Sequence, residues 1–359
     1  MILHSFAGGS SDGSTPISGL LKVGNLLYGT TPSGGKYDKG TIFSISPNGD
    51  GFILLYSFQG KKDGAIPYAS PTALNGTLYG TTSAGGANGK GTVFSITPSG
   101  TFATLYSFEG GNSDGARPLA ALTNVGGVLY GTTADGGSTG SYSNCGTVFS
   151  ISTAGQYKVR YFFTEVKDDG CKPEGHLVNL AGKLYGTTTS GGVGGVFGNG
   201  TVFSVSTGGN ETVLHRFSGA DGACGSGCYL TNLDGTLYGT AYNGGKAGIG
   251  SVFSIKPGGT FKMLYSASGK GDTGGYPRAS LTKVGGTLYG TMSDGPHGKR
   301  GTVFSVTTRG SVKTIFQFGG GIEGANPRSN LTLVGGKLYG TTEKGGSNDQ
   351  GTIYSISGF

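Results

Sequence analysis

The chain has 359 residues, of which 77 are glycine, none is tryptophan and only 13% are charged; with no three-residue period, this composition excludes collagen and points to many tight turns. The net charge of +7 comes from 26 basic and 19 acidic residues without a long Lys/Arg block, which argues against a nucleic-acid partner but allows a local preference for anions. No stretch of about 18 apolar residues exists, so no membrane insertion is expected. Met1 runs straight into Ile2-Leu3-His4-Ser5-Phe6, so a secretory leader is expected to be absent or already removed.

In chain order, the first predicted element is a lone strand over residues 2–6. Seven similar units follow. Each opens on an Asp-Gly-x-x-Pro turn and a first strand such as Pro118-Leu119-Ala120-Ala121-Leu122. A tight turn such as Asn75-Gly76 or Gly126-Gly127, whose residues accept positive φ, leads to the second strand. That strand carries Leu-Tyr-Gly-Thr, with its tyrosine at Tyr28, Tyr79, Tyr130, Tyr185, Tyr238, Tyr289 and Tyr339. The third strand reads Gly-Thr-Val-Phe-Ser-Ile or a close variant, with its aromatic at Phe43, Phe94, Phe149, Phe203, Phe253, Phe304 and Tyr354. The fourth is of the Leu-Tyr-Ser-Phe type. Helical periodicity is absent.

A period of about 51 residues predicts an all-β, seven-bladed β-propeller of four-stranded antiparallel blades, forming one domain over residues 1–359. The last unit ends after its third strand. The N-terminal strand is therefore expected to serve as the outer strand of the last blade and to remove an open sheet edge.

The five motifs together resemble the GloVer repeat of bacterial choice-of-anchor proteins, over essentially the whole chain. The resemblance implies a propeller with an extracellular, cell-surface or periplasmic location. It transfers no catalytic residue, and the C-terminal anchor of some relatives is expected to be missing from a chain that stops at Phe359.

Seven copies also act as an internal control: what recurs is scaffold, and what departs is a functional candidate. Asp12, Asp63, Asp114, Asp169 and Asp221 recur in the opening turn, with Thr273 and Glu323 in the last two units, and are read as turn chemistry rather than calcium ligands. His4 and His215 replace an outer-strand tyrosine and are read as structural. At the two variable positions of Pro-x-Ala-x-Leu most copies are small or apolar, including Ile17, Leu119, Gly19 and Ala121. Glu174, His176, Tyr229, Arg278, Arg328 and Asn330 break that pattern. They are expected to converge at the channel mouth of blades four to seven, on the face of the long variable loops.

His176 is either a proton carrier near neutral pH or a satisfied channel histidine. Arg278 and Arg328 either grip a carboxylate, sulfate or phosphate, or bond water and turn acids. Tyr68 and Tyr229 either meet a sugar ring or fill the channel. Arg117, Lys172, His297, Lys299 and Arg300 are expected to add to the site from neighbouring loops. Cys145 with Cys171, and Cys224 with Cys228, are expected to form disulfides on that face, as in exported proteins; a four-cysteine zinc site is the alternative. No metal and no cofactor are expected.

Two functional readings follow. One is a monomeric binding module for an acidic, uronate-containing carbohydrate or other small anion. The other is a metal-independent polysaccharide lyase, with Arg278 or Arg328 neutralising the uronate, His176 as base and Tyr229 as acid. A passive protein-interaction ring is a third possibility.

Overall fold

A computed structural model describes residues 1–137, 144–164, 169–269 and 273–359. The repeats form seven antiparallel sheets arranged as the blades of a propeller. Blade one runs Leu21–Val23, Leu26–Thr31, Thr41–Ile45 and Ile53–Ser57 in spatial order from the axis outward. The N-terminal strand Ile2–Ser5 pairs with Thr352–Ile356, with Ile2 opposite Tyr354 and Ser5 opposite Thr352. Blade seven thus takes its outer strand from the far end of the chain, and the expected closure is present.

The motif residues explain how blades pack. Phe43, Phe94, Phe149, Phe203, Phe253 and Phe304 are fully buried. Each lies over the glycine of the adjoining Leu-Tyr-Gly-Thr strand: a Cβ on Gly29 would meet Phe43 at 2.4 Å, and one on Gly239 would meet Phe253 at 2.3 Å. Close approach, not backbone conformation, demands glycine there.

The threonine after that glycine ties each blade to the next. Its hydroxyl donates to an inner-strand carbonyl of the following blade: Thr30 to Ala69 (3.1 Å), Thr81 to Ala120 (3.1 Å), Thr132 to Gly175 (3.2 Å) and Thr187 to Cys228 (2.6 Å). Thr240 donates to Ala279 (2.9 Å), Thr291 to Ser329 (3.1 Å) and Thr341 to Ser18 (2.9 Å). The last bond joins blade seven to blade one, so the belt closes around the axis.

One expectation needs correction. The first strand does not run as a ladder through Pro118–Leu122. Regular pairing occupies Thr123–Val125, and an isolated pairing of Gly115–Ala116 with Asp135–Gly136 precedes it. Proline has no N–H to give a ladder, so the strand breaks around it. Blade five has no proline at this place, and one strand spans Ala223–Leu233, its ladder bulged between Ala223 and Cys228.

At the rim, the recurrent aspartates cap their own turns, as expected. Asp114 accepts from Tyr106 Oη (2.9 Å) and from the N–H groups of Glu109 and Gly115 (2.7 Å each). His4 and His215 place Nε2 3.0 Å from Asp12 and Asp221, where four other blades use tyrosine and blade six has Phe316. Each of these rings also stacks on the next blade: His4 on Phe52, Tyr56 on Phe102, Tyr106 on Tyr157 and His215 on Phe261, with centroids 3.8–4.1 Å apart.

The junction of blades three and four differs. Glu211 stands opposite Val205 in the register that Phe102, Tyr157 and Phe261 occupy elsewhere. Its buried Oε1 has no hydrogen-bond partner among the described residues. Burial, with the charge of Asp169, pushes this carboxyl up to about 7. The same junction carries the Cys145–Cys171 disulfide.

Candidate binding site in the axial channel

The inner strands deliver side chains to the axis. A cavity of about 320 Å³ opens at the mouth, and a smaller one of about 90 Å³ lies against the same strands. All six pattern-breaking residues, Glu174, His176, Tyr229, Arg278, Arg328 and Asn330, line the smaller cavity. Ile17, Tyr68 and Leu119, from blades one to three, face them across the mouth. The channel therefore has a largely apolar half, with Arg117 also lining it at the mouth, and a polar half. Two glycines make room for the polar half. A Cβ on Gly19 would lie 2.3 Å from Asn330 Oδ1, and one on Gly227 would lie 2.9 Å from the Tyr229 ring.

The cations are not equivalent. Arg117 Nε donates to Asp135 Oδ2 at 2.6 Å, and its Nη2 lies 3.6 Å from Glu174. Lys172 Nζ donates to Asp135 Oδ1 at 2.8 Å. Burial opposes charge on Asp135, yet the bonds from Arg117 and Lys172 hold its carboxyl below the ordinary range. Arg117 and Lys172 are thus engaged within the protein, and Lys172 lines neither axial cavity. His297, Lys299 and Arg300 are exposed on a loop and line neither cavity either. Of the loop residues expected to add to the site, Arg117 lines the mouth, whereas Lys172, His297, Lys299 and Arg300 line neither axial cavity.

Arg278 and Arg328 remain. The Arg278 guanidinium lies 4.0 Å from the centroid of the Tyr242 ring, a cation–π contact. Arg328 Nε lies 3.0 Å from Glu343 Oε2, close enough for an ion pair but out of hydrogen-bond alignment. Arg278 Nε and Arg328 Nε are both buried, and neither has a hydrogen-bond partner among the described residues. Burial, and the like charge of Arg278, lower the pKa of Arg328 against the pull of Glu343.

Three other groups have displaced titrations. Burial lowers the pKa of His176, against a backbone contact at Leu230, and so favours the neutral imidazole. Burial and Glu174 push the Tyr229 phenol up to about 12, so it stays protonated. Burial raises the pKa of Glu174, with Asp135 adding and Arg117 and Lys172 opposing. The His176 and Tyr229 rings are 6.5 Å apart at their centroids.

Asp135, Tyr242 and Glu343 are site residues that the inner-strand comparison missed. The signal for two of them lies one strand outward. The residue after Leu-Tyr-Gly-Thr-Thr is Pro32, Ser83, Ala134, Thr189 and Ser293 in five units, but Tyr242 and Glu343 in units five and seven.

Both expected disulfides are present, with Cα atoms 4.5 Å apart for Cys145–Cys171 and 5.0 Å for Cys224–Cys228. The zinc alternative is thereby set aside. The Cβ of Cys224 also packs where other blades place a proline ring. A Cβ on Gly200 would meet Cys224 Cβ at 2.9 Å, whereas one on Gly146 would meet Pro173 Cδ at 2.9 Å. The short disulfide therefore restrains the inner strand that carries Tyr229. Two disulfides fit an oxidising, non-cytoplasmic compartment.

Fold and site together define a seven-bladed β-propeller with a polar axial channel. The chain belongs to the family of the Gloeobacter/Verrucomicrobia repeat, whose model matches residues 1–143, 124–299 and 193–358, in agreement with the resemblance seen in its motifs. No functionally curated protein matches it. Among solved structures, a candidate 6-phosphogluconolactonase from Bacteroides uniformis is 15% identical with a TM-score of 0.55, covering 86% of each chain. Another from Bacteroides fragilis is 17% identical with a TM-score of 0.55, covering 89% of this chain and 87% of its own. Likeness at this identity shows the fold alone.

Proposed function

We propose that the protein is an exported monomeric propeller, extracellular, cell-surface or periplasmic, that binds a small anionic ligand at the channel mouth. The ligand class that fits best is an acidic carbohydrate bearing a uronate carboxylate. One observation carries this reading: Arg278 and Arg328 line both axial cavities on one side, and of the two only Arg328 has an acidic neighbour, Glu343 at 3.0 Å, among the described ion pairs. A carboxylate in the cavity would pair with both guanidinium groups, and each hydrogen bond to a charged group is worth about 1.5–3 kcal/mol. The apolar half of the mouth supports a carbohydrate. Ile17, Leu119 and Tyr68, the last 39% exposed, offer a surface for the C–H face of a sugar ring.

The test is calorimetric titration with a panel of uronates at low and high salt. Binding is expected to weaken with salt, and to weaken at least tenfold with either Arg278→Ala or Arg328→Ala. Binding that survives the double variant at full strength would refute the site.

A second reading rests on the protonation states of His176 and Tyr229. A neutral imidazole could take the C5 proton of a uronate as the C4–O bond breaks. The C5–H electron pair would form the C4=C5 double bond, and the Tyr229 phenol would protonate the departing oxygen. Arg278 or Arg328 would neutralise the carboxylate. Ultraviolet absorbance of the unsaturated product tests it directly; no absorbance with any uronate glycan of the panel would remove the lyase reading for those substrates and leave the binding module.

A further inference from the structure

We infer that the channel accepts the terminal ring of a uronate chain, entering end-on, and excludes internal rings. This inference rests on the proposed reading of the mouth as a uronate site. Every blade contributes to the wall of the mouth: Ile17, Tyr68 and Leu119 from blades one to three, with Arg117 also from blade three, then Glu174, Tyr229, Arg278 and Arg328 from blades four to seven. A wall complete around an axis, adjoined by a space of only about 90 Å³, makes a well for a sugar ring, not a cleft. In a cleft, both glycosidic bonds of an internal sugar leave along the open ends. In a well, both would have to turn back through one opening. A terminal ring has a single linkage, which leaves upward toward solvent.

The dimensions agree. The mouth holds about 320 Å³, at the lower end of the roughly 300–1,000 Å³ typical of small-molecule sites. The second space, about 90 Å³, is too small for another ring. The rim is also braced where blades three and four meet. Arg117 and Lys172 converge on Asp135 at 2.6 and 2.8 Å, and Cys145–Cys171 spans the same junction. The two halves of the wall set the orientation of the ring. The carboxylate faces Arg278 and Arg328, and the C–H face lies against Ile17, Tyr68 and Leu119.

The experiment is solution calorimetry with the full chain against homo-oligouronates of one to six rings. The same oligomers are also prepared with a neutral hexose capping the non-reducing end, or with the reducing end reduced and conjugated. Molar affinity is expected to stay within about threefold from dimer to hexamer, and one of the two end modifications is expected to abolish binding. Affinity that climbs with each added ring and survives both modifications would overturn end-on entry while leaving the uronate site standing. No binding by any uncapped uronate would overturn the uronate site itself, and this inference with it.

Discussion

Replacing Glu211 by glutamine probes the one rim junction where a carboxyl has displaced an aromatic stack. Glu211 Oε1 is buried without a partner among the described residues. Burial and Asp169 raise its pKa from 4.5 to about 7, while Arg216 and Lys183 pull the other way. The folded chain therefore holds this proton more tightly than the unfolded chain does. The penalty for ionising Glu211 is absent below about pH 4.5, grows as pH rises through about 7, and is then complete. At about 1.4 kcal/mol per pH unit the ceiling is about 3.4 kcal/mol. Partial solvent contact reduces this to on the order of 1–2 kcal/mol. Glu211→Gln is expected to match the parent at pH 4.5 and to exceed it by that amount at pH 8. Urea unfolding at half-unit steps between these limits reads the difference. A variant no more stable than the parent at pH 8, or equally stabilised at both ends, would refute the argument.

Other expectations follow from the same geometry. Glu211→Tyr, which restores a ring beside Tyr161, is expected to add about 0.5–1.5 kcal/mol beyond Glu211→Gln at pH 8, also read by urea unfolding. Cys145→Ser with Cys171→Ser opens a link between residues 26 apart and is expected to cost about 3.5 kcal/mol on chain entropy, seen as a lower thermal midpoint. Gly19→Ala drives a methyl into Asn330; it is expected to weaken ligand binding with little change in fold, as calorimetry and circular dichroism would show together. Thr187→Val removes one bond of the threonine belt and is expected to cost about 1 kcal/mol in unfolding free energy.

Much of the fold was legible before any coordinates. Leu-Tyr-Gly-Thr recurs seven times, and so does Gly-Thr-Val-Phe-Ser-Ile or a close variant, because every blade solves the same packing problem with a glycine, a hydroxyl residue and an aromatic ring. The spare strand at residues 2–6 announced the closure. Comparison of copies also picked out His176, Tyr229, Arg278, Arg328, Glu174 and Asn330, since a two-residue period places every second inner-strand side chain toward the axis. The course of the first strand was less legible: the motif showed the proline, but not that the ladder would restart only after it.

What the sequence determined by itself was the number of blades, their order and the inner-strand positions where charge enters an otherwise bland channel. Only the tertiary structure decided which of those charges are available. Arg117 and Lys172 are met by Asp135, while Arg278 lies on Tyr242 and Arg328 beside Glu343. Lys172 and Asp135 are 37 residues apart, and Arg278 and Tyr242 belong to successive repeats. Such pairings depend on how the mouths of neighbouring blades are set side by side, and no local period encodes that. The belt of threonine bonds and the packing of phenylalanine on glycine fix that spacing, and with it which guanidinium groups are left facing the channel.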